Sequence, residues 1–469
     1  MMKSAHFIRT EKKDSLSGLS MYSYKHSSGL SLTYLDKPGF IGKFVAIAVP
    51  YGSVDTHFLP GVKPPLKAEG EVGVTTEAID KADLPERVAV QVPDGTAYML
   101  EKMIHSHSLG QPYESLVATQ LAAMGALTAS YTTYAHTMYS FSCVDHEVET
   151  FAIFLKKILQ PDFKADLLER IKQSVKQHVA TKHSDPAYQL YDRAMKNTYF
   201  NHGCGTDIFG TVADIEKISV DHLATVHRNF YQPAALSIVL CGDFSKSSLE
   251  HILEQCAQFA EGGRREYVGR VLSPEEPKQV RRLKDEIVRP GAVPSYFLTY
   301  KDGYVSKHKE SRGVNLLMHR MGGNILLETL IGPSSDLHNE LYDKGVINDS
   351  FYYEYFRERD FSYVLIGGDS SRPASAAETV AEELYRTVSN RAFDAELFEI
   401  QKKVALGRFT RSMDNLETAG LMAARCSLNR VDLLDYLGSF RRIQLDKALE
   451  VMRFMMEEGA LSSTILWPA

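Results

Sequence analysis

Residues 92–107 read VPDGTAYMLEKMIHSH, a turn followed by a short periodic run that carries a glutamate, a lysine and two histidines. Pro93-Asp94-Gly95 is a turn signal, and Thr96 or Asp94 is placed to cap a helix beginning near Ala97. On that helix Tyr98 and Lys102 stand at i and i+4 and share one face, with Glu101 beside both. His105 and His107 fall on different faces and read as surface or loop residues. What the helix is for depends on the frame around it.

The chain has 469 residues, 44% hydrophobic and 24% charged, the balance of an ordinary globular protein too long for one core. A net charge of -6 leaves no basic footprint for nucleic acid. The start, MMKSAHFIRTEKKDS, lacks an apolar h-region, so no secretory signal is expected. No run approaches the roughly 18 to 20 apolar residues of a membrane span. Five scattered cysteines (Cys143, Cys204, Cys241, Cys256, Cys426) form neither a disulfide framework nor a CxxC zinc pattern. A reducing, cytoplasmic setting is therefore expected.

Strand patterns cover Phe44 to Tyr51, a longer run Tyr131 to Cys143, and Leu236 to Cys241. Helical patterns cover Glu114 to Met124, His146 to Leu159, Phe163 to Thr181, Ala187 to Thr198 and Asp221 to Asn229, the last with Ser219 as cap. His222 and His227 on that helix read as structural. Residues 262–290 are charged and Pro-containing, with alternating signs, and read as an exposed connector. The second half repeats the order. A strand at Ser295 to Tyr300 and a helix at Val314 to Ile331 are followed by a strand pair, Phe351 to Phe356 and Phe361 to Gly367. Helices at Ala376 to Arg386, Ala395 to Phe409 and Glu417 to Leu428 come next. Strand, helices, long strands, helices, twice over, implies duplication into two α+β halves.

Read in order, these segments resemble the pitrilysin/insulinase family of zinc peptidases. The inverzincin pattern H-x-x-E-H, two histidines one turn apart with a glutamate that polarises water, aligns with Tyr98-Met99-Leu100-Glu101-Lys102. Tyr51-Gly-Ser-Val-Asp55 resembles the family's strand-end segment before the metal helix. Gly125 to Thr132 followed by Thr137 to Phe141 resembles its substrate-binding edge strand and neighbour. Phe209 to Ile218 and Phe230 to Asp243 resemble the segments that close its first domain. Gly322 to Glu328, Ser335 to Gly345 and Leu365 to Asp369 resemble the bacterial two-domain branch, whose members are often encoded as pairs with one partner lacking the zinc motif.

The resemblance implies two duplicated α/β-sandwich halves of the insulinase/mitochondrial-processing-peptidase type: residues 1–260, a 261–290 linker, and 291–469. Carried over position by position, the histidine ligands fall on Tyr98 and Lys102 and the third ligand on His178; with a gap beside Lys102 instead, still no ligand appears. A protonated lysine has no lone pair, and a phenol is a poor substitute for imidazole. No metal or other cofactor is therefore expected here, although active members would carry zinc. Glu101 is the catalytic remnant. A second-domain Arg/Tyr pair of the family falls on Leu341 or Tyr342 and on Ile347 or Asn348, while Arg357 and Arg359 nearby read as polar strand-turn residues. Main-chain peptide binding on the edge Ala129, Ser130, Tyr131 and Thr132 does not depend on side chains. The family's usual asparagine there is Ala129.

The function implied is a catalytically degenerate, peptide-binding or peptide-processing bacterial subunit paired with a zinc-bearing homologous peptidase. An active metalloendopeptidase with rearranged ligands, including one built from His105, His107, Glu101 and His178, is one alternative. A purely architectural scaffold subunit is the other.

Overall fold

The computed structural model describes residues 7–14, 18–62, 78–79, 89–105, 116–260, 267–271, 276–303, 313–390 and 393–469. They fall into two units assembled from non-consecutive stretches. The first takes Met1–Val179, Ile208–Leu272 and Thr410–Leu434; the second takes Ala180–Asp207, Ser273–Phe409 and Asp435–Ala469.

The strands of the first unit are β1 (Phe7–Lys13), β2 (Ser20–His26), β3 (Ser31–Asp36), β4 (Lys43–Val49), β5 (His57–Val62), β6 (Ala78–Ile79), β7 (Val90–Gln91), β8 (Leu127–Thr132), β9 (Thr137–Cys143), β10 (Ser237–Gly242) and β11 (Tyr267–Val271). Seven form a sheet in the order β1-β2-β3-β10-β4-β9-β8, and four form a smaller sheet, β6-β11-β5-β7. β10 lies parallel to β3 and antiparallel to β4, and all six of its residues are buried, as an apolar central strand requires. One face of the large sheet carries Val45, Ile47 and Phe141, which join Phe151, Phe154, Val175, Leu223 and Val226 from the helices in one apolar core. Ser219 caps the helix Val220–Phe230 through a capping box with His222.

The helix Leu416–Leu428 packs on β4 and β10. It approaches closely at Gly420, where a Cβ would stand 2.4 Å from Cδ1 of Phe44.

The second unit contains β12 (Lys284–Arg289), β13 (Ser295–Lys301), β14 (Tyr352–Arg357), β15 (Ser362–Asp369) and β16 (Leu461–Pro468), ordered β12-β16-β13-β15-β14. β16 is parallel to β12 and antiparallel to β13. The five strands repeat β3-β10-β4-β9-β8 in order and direction, which is the duplication expected from the sequence. The helix Pro186–Thr198 packs on β16 and β13. Each unit thus contains a helix from the opposite half of the chain.

Beside the expected division at residues 261–290, the stretches 180–207 and 410–434 each pack with the sheet remote from them in sequence. Two expectations are corrected. The charged connector contains β11 and β12; β12 fully buries only Ile287 and exposes Lys284, Glu286 and Val288, so its strand signal is faint. The single long strand Tyr131 to Cys143 is a hairpin, turned where the Thr133 N–H donates to the His136 carbonyl at 2.8 Å.

Because the Phe44 ring fills the space above Gly420, Gly420→Val should destabilise the first unit by about 1–3 kcal/mol through overpacking. Calorimetry should show its unfolding transition at a lower temperature, and an unchanged transition would refute the close contact.

Candidate functional site

The helix Thr96–Ile104 starts at Gly95, whose φ of 81° suits glycine, and no side chain caps it. Neither expected cap serves: Thr96 Oγ1 donates to the Pro93 carbonyl at 2.6 Å instead. Gly95 also meets the main chain of Phe209 and Gly210 so closely that a Cβ would stand 2.3 Å from the Phe209 oxygen. This contact fixes the start of the helix against the segment that closes the first unit.

Glu101 is 0% exposed, and both its oxygens are engaged. Oε1 accepts from Lys102 Nζ at 2.7 Å and from Ser130 Oγ at 2.6 Å, and Oε2 accepts from Thr132 Oγ1 at 2.8 Å. The Lys102 side chain is 12% exposed, and its ammonium lies 4.9 Å from the centre of the Tyr98 ring, a cation–π distance. Tyr98 stacks on His178 with ring centres 6.0 Å apart, and Phe209 meets both edge-on. Burial, with Glu101 close by, pushes the Tyr98 hydroxyl pKa upward. A hydroxyl pair, Tyr139 and Tyr231 at 3.0 Å, is also buried, and that burial, with a smaller contribution from Glu101, pushes the pKa of both upward.

The structure therefore brings Tyr98, Glu101, Lys102 and His178 together. Their donor set, one phenol, one ammonium and one imidazole around the carboxylate, does not fit a zinc ion, which needs three lone-pair ligands and an open position. Among the described residues no group of three or more His, Cys, Asp or Glu side chains is placed to hold a metal.

The other candidates take packing roles. His105, expected at the surface or in a loop, is buried at 5% exposure; it ends the helix and lines a small cavity with Thr128, Tyr139 and Lys157. Its apolar neighbours Ile104 and Leu121, contributed by two helices, explain the difference. His107 lies outside the described residues. His222 holds its cap, and His227 Nε2 meets the Ile158 carbonyl at 2.8 Å. In the second unit Leu341 and Ile347 are buried, Tyr342 donates to Asp349, and Asn348 donates to the Asp369 carbonyl. Arg357 ends β14 beside its hairpin turn and is buried, donating to the Tyr355 hydroxyl at 3.1 Å and pairing with Asp302. Arg359 follows β14.

β8 is the terminal strand of its sheet. Ser130 and Thr132 turn to Glu101, while Leu127, Ala129 and Tyr131 are exposed on the other face. From the Thr133–His136 pair, hydrogen-bonded pairing alternates to Tyr131–Met138 and Ala129–Ser140. The main-chain groups of Ser130 and Thr132 therefore point away from β9 and have no partner among the described residues. The corresponding edge, β14, is closed: Asn324 accepts from the Tyr355 N–H and donates to the Tyr355 carbonyl. The hydroxyls of Ser130 and Thr132 were not read from the sequence as partners of Glu101, though their i, i+2 spacing on a strand places both on one face.

Comparison with known proteins matches this frame. The family profile described as Insulinase (Peptidase family M16) covers residues 91–212, and the Peptidase M16 inactive domain covers 217–404. The chain belongs to the insulinase family. It is 26% identical over 438 residues to the uncharacterized zinc protease YmfH of Bacillus subtilis (strain 168), covering 92% of this chain and 93% of the relative. An M16-like peptidase from Alicyclobacillus acidocaldarius has the same fold, with a TM-score of 0.82 and 24% identity over 96% of this chain and 99% of that one. A protease from Helicobacter pylori has a TM-score of 0.71 at 18% identity over 96% and 99%.

Removing the ammonium would leave a buried carboxylate without its cation. Lys102→Met should cost about 3–5 kcal/mol. Adding Glu101→Gln, which keeps a carbonyl for the two hydroxyls, should recover most of that loss. Urea unfolding of the two single variants and the double variant checks this; a double variant no more stable than Lys102→Met would break the assigned coupling.

Proposed function

We propose that this chain is a catalytically degenerate insulinase-family subunit that holds an extended peptide and works beside a zinc-bearing homologous peptidase. The observation that supports the reading most is the state of Glu101. In a zinc peptidase of this kind the carboxylate faces a metal-bound water. Here it is enclosed by an ammonium and two hydroxyls and is 0% exposed. Without a metal-bound water it has no nucleophile to generate.

Peptide binding rests on other atoms. The outward N–H and C=O groups of β8 supply main-chain donors and acceptors whatever the side chains are, and a strand added there extends the seven-stranded sheet. Cleavage falls to the partner. The five cysteines, all free and buried, suit a reducing compartment, and we place the protein in the bacterial cytoplasm. No described helix is long and apolar enough to cross a membrane.

The purified chain should contain much less than one equivalent of zinc and cleave no generic peptide, whereas co-expression with its zinc-bearing homologue should give a stable complex with activity. Metal analysis and peptide-cleavage assays test both parts. Stoichiometric zinc, with an activity of the isolated chain abolished by Glu101→Gln, would establish an active enzyme instead.

A further inference from the structure

The exposed face of β8 is not neutral towards the peptide that it would hold. Leu127 is 76% exposed and Tyr131 is 36% exposed, with Ala129 between them on the same face. The Leu416–Leu428 helix packs on β4 and β10 of the same sheet and meets Phe44, which the register through Ser142 to Leu127 places on this same face; the helix carries Arg425. Arg425 bears on the Tyr131 hydroxyl, where its charge opposes the rise in pKa that burial causes. The Arg425 side chain is half-buried and makes no ion pair or hydrogen bond among the described residues. A guanidinium partly withdrawn from water and without a counter-charge is a ready partner for a carboxylate. On the opposite face the charges are already balanced, because Lys102 pairs with Glu101.

We propose that β8 selects extended peptides with apolar side chains at alternate positions and a carboxylate, on that same apolar face, aligned with Arg425. The inference rests on the peptide-holding reading above. A strand paired to the outward groups of Ser130 and Thr132 directs every second side chain to the Leu127, Ala129 and Tyr131 face. The intervening side chains point to the hydroxyl side and tolerate polar groups. The carboxylate has two possible sources. An acidic side chain reaches Arg425 from either strand direction. A C-terminal carboxylate does so only when the peptide runs parallel to β8, because Tyr131 lies near that strand's C-terminal end.

The test uses four fluorescent heptapeptides and the full chain. Three alternate threonine with valine and place, at the sixth position, glutamate with both ends blocked, glutamine with both ends blocked, or glutamine with a free C-terminus. The fourth replaces every valine with glutamine. By anisotropy, a carboxylate-bearing valine peptide should bind roughly tenfold tighter than the blocked glutamine peptide, the scale of a charge-assisted hydrogen bond. The arm that gains identifies the source of the carboxylate. That gain should vanish in Arg425→Gln and return in part in Arg425→Lys, which also controls for folding. The all-polar peptide should bind most weakly. Hydrogen exchange should show the Ser130 and Thr132 amides protected by each bound peptide. Equal affinities for all four peptides with those amides protected would overturn the selectivity and leave the docking edge standing. No binding and no protection would overturn both.

Discussion

A carboxylate withdrawn from water must be compensated where it stands, and the first unit is arranged around that requirement at Glu101. Burying an unpaired charge costs several kcal/mol, so its partners are structural necessities. They come from two elements: Lys102 from the same helix, and Ser130 and Thr132 from β8. The carboxylate therefore ties the helix to the edge strand. A one-residue slip of β8 would turn both hydroxyls to the opposite face and leave Glu101 with Lys102 alone. The register that satisfies Glu101 is also the register that exposes Leu127, Ala129 and Tyr131 and turns the main chain of Ser130 outward.

The duplicated second unit supplies an internal contrast. It repeats the strand order and places the helix Gly313–Ile331 against its own edge strand, β14. There Asn324 fills the outward main-chain groups of Tyr355, and Glu328 accepts from Tyr353 at 2.7 Å while pairing with Arg408. An unpaired edge invites another strand, and a side chain that occupies its donor and acceptor blunts it. The same architecture has thus closed one edge and left the main-chain groups of the other unpaired among the described residues. That difference lies in side-chain placement, not in topology.

Much of this was legible in the sequence because it depends on local periodicity. The helices Glu147–Leu159, Val220–Phe230 and Gly313–Ile331 and the strands around Phe44, Leu236 and Ser295 follow from spacing alone, and the repeated order implies the duplication. What was missed depends on partners far away in the chain. β12 buries little beyond Ile287 and exists because β16, more than 170 residues later, pairs with it. β1 to β3 mix polar and apolar residues too evenly to announce themselves before a sheet collects them. The interleaving of the units is invisible to periodicity, since an amphipathic helix does not specify which sheet it covers. At the site, the grouping of Tyr98, Glu101 and Lys102 follows from helical spacing, whereas the contact of Tyr98 with His178 and Phe209 is purely tertiary. His105 misled for a related reason: the apolar wall that buries it is built by other elements.

The charge at the centre of the site bears on its chemistry more than the missing histidines do. A zinc ion offers two positive charges and an open coordination position, so it can both balance a carboxylate and activate a water. An ammonium offers one charge and three donors but no coordination position, so it can perform only the first task. Lys102 performs it, over the face of Tyr98 and against Glu101, and the pair is neutral overall. On the proposed reading, a lysine in place of a metal preserves the electrostatic reason for the helix, the edge strand and their register to remain as they are, and supplies no means of generating a nucleophile. A peptide paired to the main chain of β8 would meet the same backbone with or without a metal, so the proposed absence of catalysis and the proposed binding are compatible in one structure.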